Sequence, residues 1–231
     1  LLGHGCIPIK IDYLKMLREK TEKIDSILIL DEVITGFRLA FGGAQEYYNI
    51  KPDLCTFGKI SGGGFPIGGI TGLKEIMEKS NPIKQKDNLC WIGGGTFSGN
   101  PMTMVAGLAT IKYLENNKSR VYQKINDLGD KTRKNVDKIF HDSNIKTKTT
   151  GLGSLFVTHF LNNEKDDIIT ARDLESTNMK SQYEYYMMLM SYFDIFFLPS
   201  HNGAISDAHN IDDVNHLITS TDKISRELKS N

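Results

Sequence analysis

Net charge is the first thing this chain lacks, since 28 Lys and Arg residues balance 28 Asp and Glu. There is then no net field to recruit nucleic acid or an anionic membrane, and neither partner is expected. Cysteine is scarce too. Cys6, Cys55 and Cys90 are odd in number and widely spaced. They fit neither a disulfide framework nor a zinc ligand set, so no metal site is expected and a reducing, cytoplasmic setting is. No apolar run is long enough to span a bilayer, and no signal-peptide pattern opens the sequence. Internal repeats and low-complexity tracts are also missing.

What is present suits a globular protein. Hydrophobic residues make up 39% and charged residues 24% of 231 positions, enough for one large domain or a domain and a half. Leu1-Leu2-Gly3-His4-Gly5 has no initiating Met and runs straight into Cys6-Ile7-Pro8, which reads as an interior slice of a longer chain, with a processed N-terminus as the alternative. Asn117-Lys118-Ser119 fits a glycosylation acceptor but, without a secretory signal, reads as surface loop.

The periodicity alternates helix and strand. Asp12 is expected to cap a helix carrying Tyr13, Leu14 and Leu17 on one side. Ile27-Leu28-Ile29-Leu30 suits a strand covered on both faces and stops at Asp31-Glu32. Leu54-Cys55-Thr56-Phe57 suits a second strand, ending at Gly58-Lys59. Helix then strand, twice over, implies an α/β fold with a parallel sheet. Asn100-Pro101 opens another helix through Met102, Val105, Ala109 and Leu114. Near residue 116 Lys, Asn and Asp become dense and the glycine-rich loops vanish, which sets a domain boundary: 1–115 and 116–231. The second half reads as a smaller α+β domain. It has an amphipathic helix on Val121, Ile125, Leu128, Val136 and Ile139, with strands at Leu155–Val157 and Ile195–Leu198. A last helix follows, capped by Asn210 with Asp213 three residues on. Tyr185, Met188, Leu189 and Tyr192 recur at helical spacing as core, and Lys131 to Lys138 reads as a solvated helix face. His201, His209 and His216 are too widely spaced for a helical ligand pair and read as surface or packing residues.

Open α/β sheets collect ligands beyond the carboxyl ends of their strands, where Asp31 and Lys59 fall. Pyridoxal phosphate asks a protein for a lysine to form a Schiff base, a carboxylate facing the pyridine nitrogen, and donors around its phosphate. Lys59, Asp31 and the Gly94-Gly95-Thr96 loop ahead of Pro101 supply those types. Each also has a plainer reading: a solvated lysine, a turn or cap aspartate, and a loop hydroxyl bonded to its own backbone. A P-loop is excluded, because Asp53 stands where its first glycine belongs and Ile60 follows the lysine. A dinucleotide fingerprint fails at Ser98.

Three segments carry a resemblance. Leu30-Asp31-Glu32-Val33-Ile34-Thr35-Gly36-Phe37-Arg38, Thr56-Phe57-Gly58-Lys59-Ile60-Ser61-Gly62-Gly63-Gly64-Phe65-Pro66 and Gly94-Gly95-Thr96-Phe97-Ser98-Gly99-Asn100-Pro101 resemble, in order and spacing, the class III pyridoxal-phosphate aminotransferases. The stretch from Arg38 to Asp53 is most similar to the glutamate-1-semialdehyde 2,1-aminomutases of that family. The resemblance implies a fold-type I transferase, with 1–115 part of the large cofactor domain and 116–231 the small one. Lys59 would form the Schiff base and Asp31 partner the pyridine nitrogen. Val33 would pack on the ring, and Thr96 would reach the phosphate of a neighbouring subunit in a homodimer. Glu32 and Arg38 would be structural. The substrate would be a small amino compound or amino acid.

The family's phosphate loop and ring-stacking aromatic do not occur before Asp31, which implies a fragment or a degenerate protein. Intact Lys59, Asp31 and Thr96 argue against a non-catalytic remnant or partner-binding domain. Gly203 aligns with the mutases' glutamate beyond a Pro-Ser pair, in a stretch about two residues shorter here. An aminotransferase is therefore expected over a mutase, unless Asp207 replaces that acid.

Overall fold

A computed structural model describes residues 3, 5–85, 87–162, 167–198 and 201–230. The readings on Leu1, Leu2 and His4 and on the Pro199-Ser200 pair lie outside the described residues. The chain divides into two compact units, Lys10–Ser119 and Leu1–Ile9 together with Arg120–Asn231.

In the first unit, α1 spans Ile11–Lys23 with Lys10 at its N-cap and no side-chain cap bond. Asp12 does not cap it. It lies in the first turn, where its charge meets the positive end of the helix. Leu14 is buried, whereas Tyr13 is exposed. The sheet runs β1 (Ile29–Glu32), β2 (Leu54–Gly58), β3 (Gly68–Gly72) in that order. β1 and β2 pair in parallel, with Leu30 opposite Cys55, Asp31 opposite Thr56 and Glu32 opposite Phe57. β3 returns antiparallel to β2. β1 begins two residues later than its aliphatic run, and only one of its faces is covered. Leu28, Leu30 and Glu32 turn inward, while Ile27, Ile29 and Asp31 are exposed, the alternation that a pleated strand imposes.

Helix α2 (Gly43–Tyr47) and α3 (Lys74–Met77) are short. The next helix is not. α4 runs unbroken from Pro101 to Asp142, 42 residues, where two helices were expected. Asn100 Oδ1 accepts the Thr103 N–H at 2.9 Å, the cap that its identity implied. The polar stretch at 116–119 is helix, not loop: Asn117 Nδ2 donates to the Tyr113 carbonyl one turn back at 2.8 Å.

The second unit holds an antiparallel sheet, β4 (Thr147–Leu152), β5 (Leu155–Phe160) and β6 (Gly203–Ala204), with helices α5 (Met179–Phe193) and α6 (Ile211–Ser230). Every residue of β5 is buried. Phe140, Phe160 and Tyr185 meet edge-on or tilted at 5.1–5.8 Å. Buried tyrosine hydroxyls need partners. Tyr185 finds Thr221 Oγ1 at 2.8 Å, and Tyr186 accepts the Thr158 N–H at 3.1 Å. Tyr185 and Leu189 are core as expected, but Tyr192 is exposed and Tyr186 takes the buried place. α6 opens with the expected reciprocal cap, Asn210 N–H to Asp213 Oδ2 at 2.8 Å and Asp212 N–H to Asn210 Oδ1 at 2.6 Å.

Ile195–Leu198 is not a strand. α5 ends at Phe193 with Asp194 left-handed, and in the run that follows Phe197 packs by its ring while Phe196 and Leu198 are exposed. Phe197 lies 5.3 Å from Tyr186 and 5.7 Å from Phe156. The ladder beside β5 is taken by Gly203 and Ala204.

Candidate active site

The parallel register brings the carboxyl ends of β1 and β2 side by side. Asp31 lies opposite Thr56, three residues before Lys59. Along a strand, alternate residues share a face, so Asp31, Thr56 and Gly58 look to one side and Glu32 and Cys55 to the other. Asp31 Oδ1 accepts two hydrogen bonds, from the Val33 N–H at 3.0 Å and from Thr56 Oγ1 at 3.1 Å. Among the described residues Oδ2 has no partner. The Val33 side chain leans over Gly58, its γ-carbons 3.5 and 3.9 Å from where a Cβ on that glycine would sit.

Lys59 leaves β2 as the first residue of a 3₁₀ turn, Lys59–Gly62, with φ +49° and an exposed side chain. Ser61 Oγ donates to the Gly58 carbonyl at 2.9 Å and closes the turn. Gly63 and Gly107 let that turn lie against α4. A Cβ on Gly63, at φ +60°, would come within 2.4 Å of the Ala106 carbonyl oxygen, and one on Gly107 within 2.4 Å of that of Ser61. The glycines after the lysine thus seat it at a fixed height on the helix.

On the opposite face Glu32 is buried. It accepts the Ala44 and Gln45 N–H groups at 2.8 Å each, and the Thr35 hydroxyl as well. That is a structural task, joining β1 to the first turn of α2. At the far end of the strands, Asp53 accepts the Leu28 N–H at 2.7 Å and Arg18 Nη1 at 2.9 Å. The backbone donor first, and Arg18 with it, hold its carboxyl below the usual range. Burial and then the charge of Glu32 push the Cys55 thiol up, so it is no ready nucleophile.

Thr96 sits in an exposed turn ahead of α4, between Gly94 (φ +110°) and Gly99 (φ +68°). Its hydroxyl has no hydrogen bond among the described residues, so it does not bond its own backbone, and none links it to Asp31 or Lys59. Sequence reasoning did not single out Thr56. The signal was there, a hydroxyl three residues before the lysine, but its partner became visible only with the register.

No group of three His, Cys, Asp or Glu residues suited to a metal occurs among the described residues. His201, His209 and His216 border a cavity of about 670 Å³ in the second unit with Phe156, Phe197 and Gly203. There His209 Nδ1 meets Ser206 Oγ at 2.9 Å and His216 Nε2 meets the Phe193 carbonyl at 2.8 Å, which are packing roles.

A sequence model of the family described as Aminotransferase class-III matches residues 3–181. The chain is 41% identical over 216 residues to the glutamate-1-semialdehyde 2,1-aminomutase of Methanosphaera stadtmanae, covering 93% of this chain and 48% of that protein. Among solved structures it is similar to an omega-transaminase from Sphaerobacter thermophilus, with a TM-score of 0.84, 29% identity, and coverage of 96% of this chain and 49% of that one. A beta-phenylalanine aminotransferase from Variovorax paradoxus matches with a TM-score of 0.84, 26% identity, and the same coverage. The chain spans about half the length of the curated relatives it matches.

Proposed function

We propose that this chain, which belongs to the class III aminotransferase family and has the architecture of the fold-type I pyridoxal-phosphate transferases, carries the lysine half of a pyridoxal-phosphate site. One observation carries the reading: an exposed lysine and an aspartate with one uncommitted oxygen stand at the same end of two neighbouring parallel strands. Those residues fit the group. Lys59 would hold its aldehyde covalently, Asp31 its pyridine nitrogen, Val33 one face of its ring, and Thr96 the phosphate of a cofactor in a second subunit. When bound, the group supplies an electron sink that labilises bonds at the amino carbon of a substrate. Lys59 Nζ would also be the base that moves the proton at that carbon. On this reading Lys10–Ser119 belongs to the large domain and the other unit is the small C-terminal one.

The substrate class is a small amino compound or amino acid, and net transamination is favoured over a mutase reaction. Gly203 stands at the position aligned with the mutase glutamate. A Cβ there would lie 2.6 Å from Phe156 Cζ and 2.7 Å from Phe197 Cε1, so a longer side chain would require both rings to move. Asp207, the alternative acid, is held by Arg120 at 2.9 Å and Lys124 at 3.4 Å. The mutase is the second reading, supported by the name of the M. stadtmanae relative.

A homodimer is part of the proposal. Trp91 and Phe97 ahead of α4, and Met102, Val105 and Leu108 in its first turns, are large apolar side chains left exposed, the kind of surface a protein partner covers. Three free cysteines, Cys6, Cys55 and Cys90, suit a reducing cytoplasm.

Borohydride reduction of the whole protein, followed by peptide mapping, tests the site: the pyridoxyl label belongs on Lys59, and a label elsewhere or none rejects it. Incubation with glutamate-1-semialdehyde alone separates the two reactions. Sustained 5-aminolevulinate formation without an amino donor would favour the mutase.

A further inference from the structure

We infer that Thr56 is a positioning residue, one that fixes the plane of the Asp31 carboxylate so that Oδ2 is offered to the pyridine nitrogen in one direction; this rests on the pyridoxal-phosphate reading of the site. An aspartate carboxylate turns about a broad, shallow torsion when nothing holds it. Two donors reach Asp31 Oδ1 from different elements. The Val33 N–H comes back from two residues along the same segment at 3.0 Å, and the Thr56 hydroxyl comes across from the neighbouring strand at 3.1 Å. One donor leaves the carboxylate free to swing about that contact. The second, set by the β1–β2 register, removes that freedom. With Oδ1 occupied, Oδ2 is the oxygen left for a ligand.

The geometry matters because a pyridine N–H is a single donor pointing in the plane of its ring. A charge-assisted bond to it is strong only when the acceptor is aligned. Threonine is also simply a good strand residue, but that role would be met equally by valine, which has the same branched shape and no hydroxyl. The two roles therefore separate under one substitution.

The experiment uses the whole protein as wild type, Thr56→Val and Thr56→Ser, loaded with cofactor carrying ¹⁵N in its ring. Three quantities are read: the borohydride label on Lys59, the ¹⁵N resonance of the ring nitrogen, and kcat and KM separately. Thr56→Val is expected to keep the label, to move the resonance toward that of unprotonated pyridine, and to lower kcat about tenfold with KM little changed. Thr56→Ser restores both resonance and kcat. A Thr56→Val protein with the wild-type resonance and kcat overturns the inference, as does a Thr56→Ser protein equally impaired. Loss of the label from Thr56→Val assigns Thr56 to binding or folding and overturns it too. A wild-type protein without label on Lys59 removes the cofactor reading itself, and this inference with it.

Discussion

Glu32 and Gly43 compete for one volume: a Cβ added to Gly43 would lie 2.5 Å from Glu32 Oε2. Gly43 also has φ +77°, where a side chain is strained even in open space. Its lack of a side chain lets the Ala44 and Gln45 N–H groups close on the buried carboxylate. Gly43→Ala should therefore cost about 2 kcal/mol or more. Gly64→Ala is the control, since φ there is +96° and nothing lies within 4 Å of the new methyl. Strain alone should cost that variant about 1 kcal/mol. Equal losses in denaturant unfolding would show that the Glu32 contact adds nothing.

Asp31→Asn keeps the shape of the side chain and discards the charge. An amide still accepts from Val33 and Thr56, so the cofactor should remain on Lys59. It cannot hold a pyridine nitrogen protonated. A hydrogen bond to a charged group is worth about 1.5–3 kcal/mol, so kcat should fall roughly 10- to 100-fold. Steady-state kinetics on cofactor-saturated enzyme checks this, and near-normal turnover would take the electronic role away from Asp31.

His159 gives the second unit a pH dependence. It is buried in β5, with Nε2 3.0 Å from both the Gly5 carbonyl and Thr150 Oγ1. Burial lowers its pKa below the ordinary 6.5, and the bond to the Gly5 carbonyl opposes that only in part. Below pH 6.5 the unfolded chain then binds a proton that the folded one resists, so stability falls as pH drops through that window. Thermal melts from pH 7.5 to 5 should show the loss, and His159→Phe should flatten it. A His159→Phe slope as steep as that of the wild type would assign the effect to other groups.

Val105 is the residue to charge if the start of α4 meets a second copy. It is 70% exposed, between Met102 and Leu108 on successive turns. A carboxylate buried without a partner opposes association by several kcal/mol. Val105→Glu should give a monomer by light scattering at concentrations where the wild type is a dimer. A dimer that tolerates this change places its interface elsewhere.

Legibility followed local chemistry. The caps at Asn100 and at Asn210 with Asp213 could be read because a capping side chain bonds within three residues of itself. β2 and its Gly58-Lys59 terminus could be read from one short apolar run. What escaped depended on partners far along the chain. β4, Thr147–Leu152, has no apolar alternation, and it is a strand because it pairs with the buried β5. β3 is Gly-Gly-Ile-Thr-Gly, a poor strand by propensity, held by β2. The run Ile195–Leu198 looked like a strand by composition, yet β5 pairs with Gly203 and Ala204 instead, and of the run's two rings Phe197 packs on Tyr186 and Phe156 while Phe196 stays exposed. Asn117 to Ser119 read as surface loop, but α4 passes through it because no residue there breaks a helix. Within the candidate site the residue types were legible and the Thr56–Asp31 contact was not, since a register cannot be read from either strand alone.

If Lys59 holds the cofactor as proposed, its left-handed backbone sets the interests of the fold against those of the chemistry. A turn chosen for sturdiness alone would place glycine or asparagine at φ +49°, because a long side chain there is strained by about 1 kcal/mol. Random substitution screened only for melting temperature should thus drift away from lysine at this one position. On the Schiff-base role proposed for it, a lineage that keeps lysine here is held there by turnover, and the identity of residue 59 would then report whether a related chain still works as an enzyme or survives only as a scaffold.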